Sequence, residues 1–222
     1  MTESPVAENA RPTESEVGAS VLLTHGYAGS ALLLRRLAIA CESAGFHASR
    51  WGYASIPFGV ERHARLLQER LERLQGAKRM HVVTHSMGAV VLRRALMDYQ
   101  PPNLERIVML CPPNHGSHAA RRFAKRLGWL SPSLRQITDA EDSYVNQLPG
   151  DIATQFEVGV VIAAGDFVVA PESTQLSGVR DTVTIPGMHS ALLFKPETGR
   201  QVVHFLSHGR FDRPDSGETS GS

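Results

Sequence analysis

Three short polar clusters in this sequence each follow a strand-like stretch, and together they hold the parts of a nucleophilic relay. Thr84-His85-Ser86-Met87-Gly88 interrupts "HVVTHSMGAVV", Ala164-Gly165-Asp166 follows "VGVVIA", and Gly187-Met188-His189-Ser190 follows "TVTIP". A serine hydroxyl is a weak nucleophile until a base takes its proton. An imidazole serves as that base when a carboxylate fixes its tautomer. The chemistry these residue types could do is acyl transfer, with Ser86 attacking a carbonyl, His189 accepting its proton and Asp166 orienting the ring.

Each assignment competes with a plainer one. Ser86 stands between a strand pattern and a helix pattern with no loop to spare. Such a turn lifts the serine above the sheet and needs small neighbours, the pattern written G-x-S-x-G. Gly88 fits, whereas Thr84 replaces the first glycine and brings a β-branched side chain to the turn. The plainer role for Ser86 is a helix N-cap. His189 is the histidine placed at a strand's carboxyl end downstream of the serine; His63 and His204 fall inside helical patterns. For the acid, Asp166 comes directly after its strand, while Glu172 stands where a helix start would favour a carboxylate by itself.

The developing oxyanion needs two backbone donors. Met87, directly after the serine, offers one N–H. The loop His25-Gly26-Tyr27-Ala28-Gly29 after the first strand offers the other through Tyr27, with His25 a structural member of that loop. His115 and His118 could pair on a metal, yet no carboxylate or cysteine stands at a helpful spacing, so no metal and no cofactor is expected.

The elements that must position these groups alternate along the chain. Strands are expected at 21–24, 47–51, 80–84, 107–110, 158–163 and 182–185. Helical patterns lie between them, with Leu33, Leu37, Ala40 and Cys41 on one face, and others over 60–75, 87–99, 118–127 and 196–207. Five or six helices alternating with six short apolar strands specify an α/β fold, a mainly parallel sheet covered on both faces. In that architecture ligands bind outside the carboxyl ends of the strands, where all three clusters fall. The segment 112–156 is the one long insertion. It contains one helix followed by irregular sequence, so no large cap domain is expected and the site should be open.

Composition sets the outer bounds. The chain has 222 residues, 42% hydrophobic and 20% charged, with net charge +1, enough for one sizeable core. That balance gives no electrostatic reason to expect nucleic acid or an anionic membrane as partner. Two cysteines, Cys41 and Cys111, are too few for a disulfide framework and point to the cytoplasm. No stretch approaches the roughly 18 apolar residues of a membrane span, so no integral membrane association is expected. Residues 1–18, acidic and without an apolar run, read as a disordered tail, 19–210 as the folded domain and 211–222 as a second tail. No spacing specifies an oligomeric state.

With those residues in view, the chain resembles the α/β-hydrolases, and among them the small bacterial lipase- and esterase-like members. The resemblance is carried by "LLTHGYAGS", "HVVTHSMGAV", "IVMLCPPNHGS" and "GDFVVAPESTQL" followed by "PGMHS". Those relatives tolerate threonine at the place of Thr84. The resemblance implies Ser86, Asp166 and His189 as a catalytic triad, and residues 112–117 as a loop lining the site. It also implies hydrolysis of a carboxylic ester in a small-molecule or lipid-like substrate. Leu32, Leu33, Tyr27, Met87 and Met188 flank the reacting groups and could form an apolar acyl pocket. The same acyl-serine could pass its acyl group to another acceptor, as an acyltransferase does, or the fold could serve as a catalytically silent binding scaffold.

Overall fold

A computed structural model describes residues 18–150 and 152–213. Its centre is one six-stranded sheet built from β1 (Ser20–Thr24), β2 (His47–Trp51), β3 (Met80–His85), β4 (Leu104–Leu110), β5 (Glu157–Ala163) and β6 (Asp181–Ile185). All neighbouring strands pair parallel, in the order β2-β1-β3-β4-β5-β6. Strand order reverses direction between β1 and β3, so the crevice at their carboxyl ends is a topological switch point.

Side chains alternate between the two faces, as a pleated strand requires. Leu22, Val82, Ile107, Met109, Val158 and Val160 point to one core. Val21, Leu23, Val83, Val108, Leu110 and Val161 point to the other. The first core is covered by α2 (Val60–Glu72) and α3 (Met87–Asp98), the second by α1 (Arg35–Ser43) and α8 (Pro196–His208). Both faces being dry explains why the inner strands β1, β3, β4 and β5 read as near-continuous apolar runs, whereas the edge strands β2 and β6 are partly exposed and mixed in sequence. Each fully buried leucine, such as Leu22 or Leu67, contributes about 1.5–3 kcal/mol of transfer free energy.

The helix count differs from the sequence expectation. Residues 112–156 hold four short helices, α4 (His118–Leu127), α5 (Pro132–Gln136), α6 (Tyr144–Gln147) and α7 (Ile152–Gln155), where one was expected. The last three are too short to form alone or to show a helical period. They persist because Leu134, Ile137, Val145, Leu148, Ile152 and Ala153 insert into the α2–α3 core. Arg93 of α3 holds the same segment down. Buried itself, it donates to the carbonyls of Asn114 (2.9 Å), Leu148 (3.0 Å) and Pro149 (3.2 Å). The segment therefore packs as a layer on the body, without a separate cap.

At the carboxyl end of the chain, Phe211 is buried against Phe205, and the Asp212 N–H donates to Gln201 at 2.9 Å. The remainder of the two expected tails, 1–17 and 214–222, lies outside the described residues.

Candidate active site

β3 is buried along its whole length and ends at His85, after which the chain turns at once into α3. The turn is concentrated in Ser86, at φ 52° and ψ −127°, a conformation costing a non-glycine residue about 1–3 kcal/mol. The sheet holds it there: the Ser86 N–H donates to the Leu110 carbonyl at 2.9 Å, and its own carbonyl accepts from Ala89 at 2.9 Å. Thr84 keeps regular pairing with Thr24 on one side and Met109 on the other, so its branched side chain lies in flat strand before the bend. The tight contacts fall on two glycines instead. A Cβ on Gly88 would meet the His25 carbonyl oxygen at 2.8 Å, and a Cβ on Gly26 would meet the Ser86 Cβ at 2.7 Å.

The loop after β1 is fixed by its own bonds. His25 Nε2 accepts from the Tyr53 N–H at 3.2 Å, so the proton sits on Nδ1, which donates to the Gly26 carbonyl at 2.8 Å. Tyr53 stacks on the ring at 4.4 Å and its hydroxyl donates to the His25 carbonyl. Burial lowers the His25 pKa, in keeping with this neutral, fully engaged imidazole. Ala28 is tied to Ser55 Oγ at 2.9 Å. Next to Gly26, Tyr27 reaches the cavity that contains Ser86. Among the described residues the N–H groups of Tyr27 and Met87 have no hydrogen-bond partner, and Met87 is the first residue of α3, where the helix presents its positive end.

The structure brings Ser86, His189 and Asp166 together. His189 Nε2 lies 2.9 Å from Ser86 Oγ, and His189 Nδ1 lies 2.7 Å from Asp166 Oδ2. Asp166 Oδ1 accepts from the N–H groups of Val168 (2.8 Å) and Val169 (2.9 Å), which fixes the carboxylate plane. Burial opposes its ionisation, yet the His189 hydrogen bond and charge, with those two amides, hold its pKa below the ordinary value. A carboxylate on Nδ1 requires the ring proton there and leaves Nε2 free to accept from the serine hydroxyl. Glu172 is exposed on a 3₁₀ turn (Pro171–Thr174), and the imidazole takes Asp166 as its carboxylate partner.

Two buried groups that sequence reasoning left out lie beside His189 and Asp166. His85 packs its ring 5.0 Å from that of His189, and its Nε2–H donates to the His189 carbonyl at 3.3 Å. Burial, with the adjacent His189, pushes the His85 pKa down to about 3, so a neutral ring faces His189. Cys111, at φ 47° after β4, lies within 4.8 Å of Asp166 and His189. That trio is dense enough to suggest a metal cage. Burial and the Asp166 charge push the Cys111 thiol upward, so it stands protonated beside the carboxylate. His118 is spent on another bond, its Nε2–H donating to the Phe167 carbonyl at 2.9 Å.

Beside Ser86 and His189 opens a cavity of about 350 Å³. Its walls correct the expected acyl pocket. Leu32 and Met188 are 70% and 60% exposed and do not line it, and Met87 is buried in the core beneath. Of that set Tyr27 remains. The apolar wall comes from the inserted segment, through Ala120, Phe123, Leu127, Leu134 and Ile137, and from Val168 and Val169. Ser117 caps α4 through the Ala120 N–H (3.1 Å) and donates to the Val168 carbonyl (2.6 Å), so one side chain joins both halves of the wall. The arginine-rich helix carried the signal: Ala119, Ala120, Phe123 and Leu127 share one stripe of α4.

Comparison with protein-family models and with curated protein sequences finds no match. Solved structures do match. The mature form of Bacillus licheniformis lipase BlEst2 superimposes with a TM-score of 0.74 at 14% identity, over 89% of this chain and 94% of that one. Aspergillus fumigatus lipase B gives 0.70 at 16% identity, over 96% of this chain and 59% of its own. The RedJ thioesterase of the prodiginine pathway in Streptomyces coelicolor gives 0.60 at 18% identity, over 93% and 96%. At these identities the likeness is one of fold.

Proposed function

From the α/β-hydrolase fold of this chain we propose that it is a serine hydrolase that cleaves a carboxylic ester with an apolar acyl group. One observation carries the reading: an unbroken chain of hydrogen bonds from Asp166 through His189 to Ser86 Oγ, at 2.7 and 2.9 Å, opening on an apolar cavity. Ser86 Oγ attacks the ester carbonyl as His189 Nε2 takes its proton. The tetrahedral oxyanion accepts hydrogen bonds from the Tyr27 and Met87 N–H groups, which have no competing partner to surrender. His189, now an imidazolium paired with Asp166, protonates the leaving alcohol. A water repeats the sequence on the acyl-serine, releasing the acid and restoring the hydroxyl. The cavity of about 350 Å³ suits an acyl chain of modest size.

Cys41 and Cys111 are both free and buried, which fits a reducing interior, and the cytoplasm is the proposed location. No helix among the described residues is long and apolar enough to cross a membrane. The test is labelling with a fluorophosphonate followed by peptide mapping. The adduct is expected on Ser86; an adduct on another serine, or none on folded protein, contradicts the proposal.

A further inference from the structure

The near-neutral total charge hides a local imbalance. Between Asn114 and Thr138 the sequence holds Arg121, Arg122, Lys125, Arg126 and Arg135 and no acidic residue. Arg121 is paired with Asp139 at 3.0 Å. Arg122, Lys125 and Arg126 project from α4 and, with His118, line a shallow groove of about 470 Å³ whose apolar floor is Phe123 and Phe167.

The same region exposes bulky apolar side chains that a soluble surface normally hides. Trp129 is 80% exposed, Phe167 78% and Phe123 59%, and Leu127 and Leu130 are about half exposed. Phe123 links the two features, because it lines both the basic groove and the cavity that holds Ser86. Concentrated exposure of this kind marks a contact surface.

We propose that α4 and the turn after it dock this protein on an anionic lipid surface, with the mouth of the Ser86 cavity facing the bilayer. The occupant follows from the chemistry of the patch. Cations flanking exposed Trp, Phe and Leu match a surface whose anionic headgroups lie directly over hydrocarbon, where indole and phenyl rings settle at the boundary. A second copy of this chain would set cation against cation. An acidic protein would answer the arginines but offers no reason for five large apolar groups beside them. Docking stands on the patch alone. That the docked lipid also supplies the acyl ester rests on the serine-hydrolase reading, and it names the substrate class as membrane glycerolipid.

The experiment uses the full chain carrying Ser86→Ala, so that binding is read without turnover. Trp51→Phe is added, which leaves Trp129 as the sole indole, since the chain has two tryptophans. With vesicles of phosphatidylglycerol and phosphatidylcholine in equal parts, the protein should co-sediment, Trp129 emission should shift to the blue, and brominated acyl chains should quench it. Pure phosphatidylcholine should bind far more weakly. Arg122→Glu, Lys125→Glu and Arg126→Glu together should weaken binding about a hundredfold, given what each cation near an anionic surface contributes. If that triple variant melts abnormally, Trp129→Ser at a solvent-exposed position is the second probe, read by co-sedimentation alone, and should weaken binding to the anionic vesicles; unchanged co-sedimentation would overturn docking through this patch. No binding to either vesicle, equal binding to both, or a stable dimer that leaves Trp129 shielded without lipid would overturn docking. Docking without fatty-acid release by the Ser86 protein, while it still cleaves a soluble ester, would overturn the substrate assignment alone.

Discussion

Gly26 lies so close to Ser86 that a Cβ placed on it would come within 2.7 Å of the serine Cβ. The loop bearing the first proposed oxyanion donor and the turn bearing the proposed nucleophile are therefore one packed unit. Gly26→Ala must push the Tyr27 N–H and the serine apart. Loss of one such donor costs about 10²–10³ in kcat, and a fall of at least the lower figure is expected with little change in KM. Equal kcat in a folded Gly26→Ala protein would show that the Tyr27 amide is not used.

Asp166 bonds His189 whereas Glu172 is exposed on a 3₁₀ turn, so their variants should separate in rate. Asp166→Asn keeps the shape while favouring the wrong histidine tautomer, and kcat near neutral pH should fall by about 10⁴. Part of that loss should return at high pH as hydroxide replaces the base. Glu172→Gln should stay within about tenfold of the parent, since a helix-end charge contributes roughly 0.3–1 kcal/mol. The reverse ranking would move the acid.

How much of this could be read from the sequence depended on whether a signal is local. The inner strands were legible because both their faces are buried, leaving unbroken runs such as Val82-Val83, while the half-exposed edge strands β2 and β6 carried a weaker signal. Ser86 and Asp166 stood out because a polar residue at the end of such an unbroken run has no packing reason to be there, and His189 because it follows the last strand at its carboxyl end. The cavity walls were not, since Leu134 and Ile137 meet Val169 only through the tertiary fold. Arg93 was invisible for a similar reason. Next to it Arg94 makes an ordinary helix-surface pair with Asp98 at 2.6 Å, and nothing local distinguishes the two. The basic patch on α4 was lost by averaging charge over the whole chain.

Buried neutral histidines make stability depend on pH. Burial, with His189 nearby, pushes the His85 pKa down to about 3, whereas the unfolded chain takes up that proton near 6.5. Between those values the unfolded state binds the extra proton. Stability therefore rises with pH across the window and is fully present above it, each such proton being worth about 1.4 kcal/mol per pH unit. His25 and His63 are shifted down by burial and add in the same direction. His85→Gln keeps a donor for the His189 carbonyl and removes one proton's share, so urea melts at several pH values should give a shallower slope. An unchanged slope would mean that His85 is protonated in the fold.

The inserted segment packs as a layer with no separate cap, and we predict that access to Ser86 does not depend on a lid opening. A neutral, short-chain soluble ester should show little or no jump in rate as it passes its aggregation threshold. A steep jump would require part of residues 112–156 to move away from the cavity. Charge-dependent docking on anionic vesicles is a separate effect and should appear without such a jump.

The central claim is that Ser86 is the nucleophile. The most direct measurement is steady-state hydrolysis of an activated soluble ester by Ser86→Ala, with circular dichroism to establish that the protein is folded. Removal of the nucleophile from a working relay should lower turnover by at least ~10⁴ while leaving the spectrum unchanged. A folded Ser86→Ala protein that turns the ester over at close to the parent rate would contradict the account.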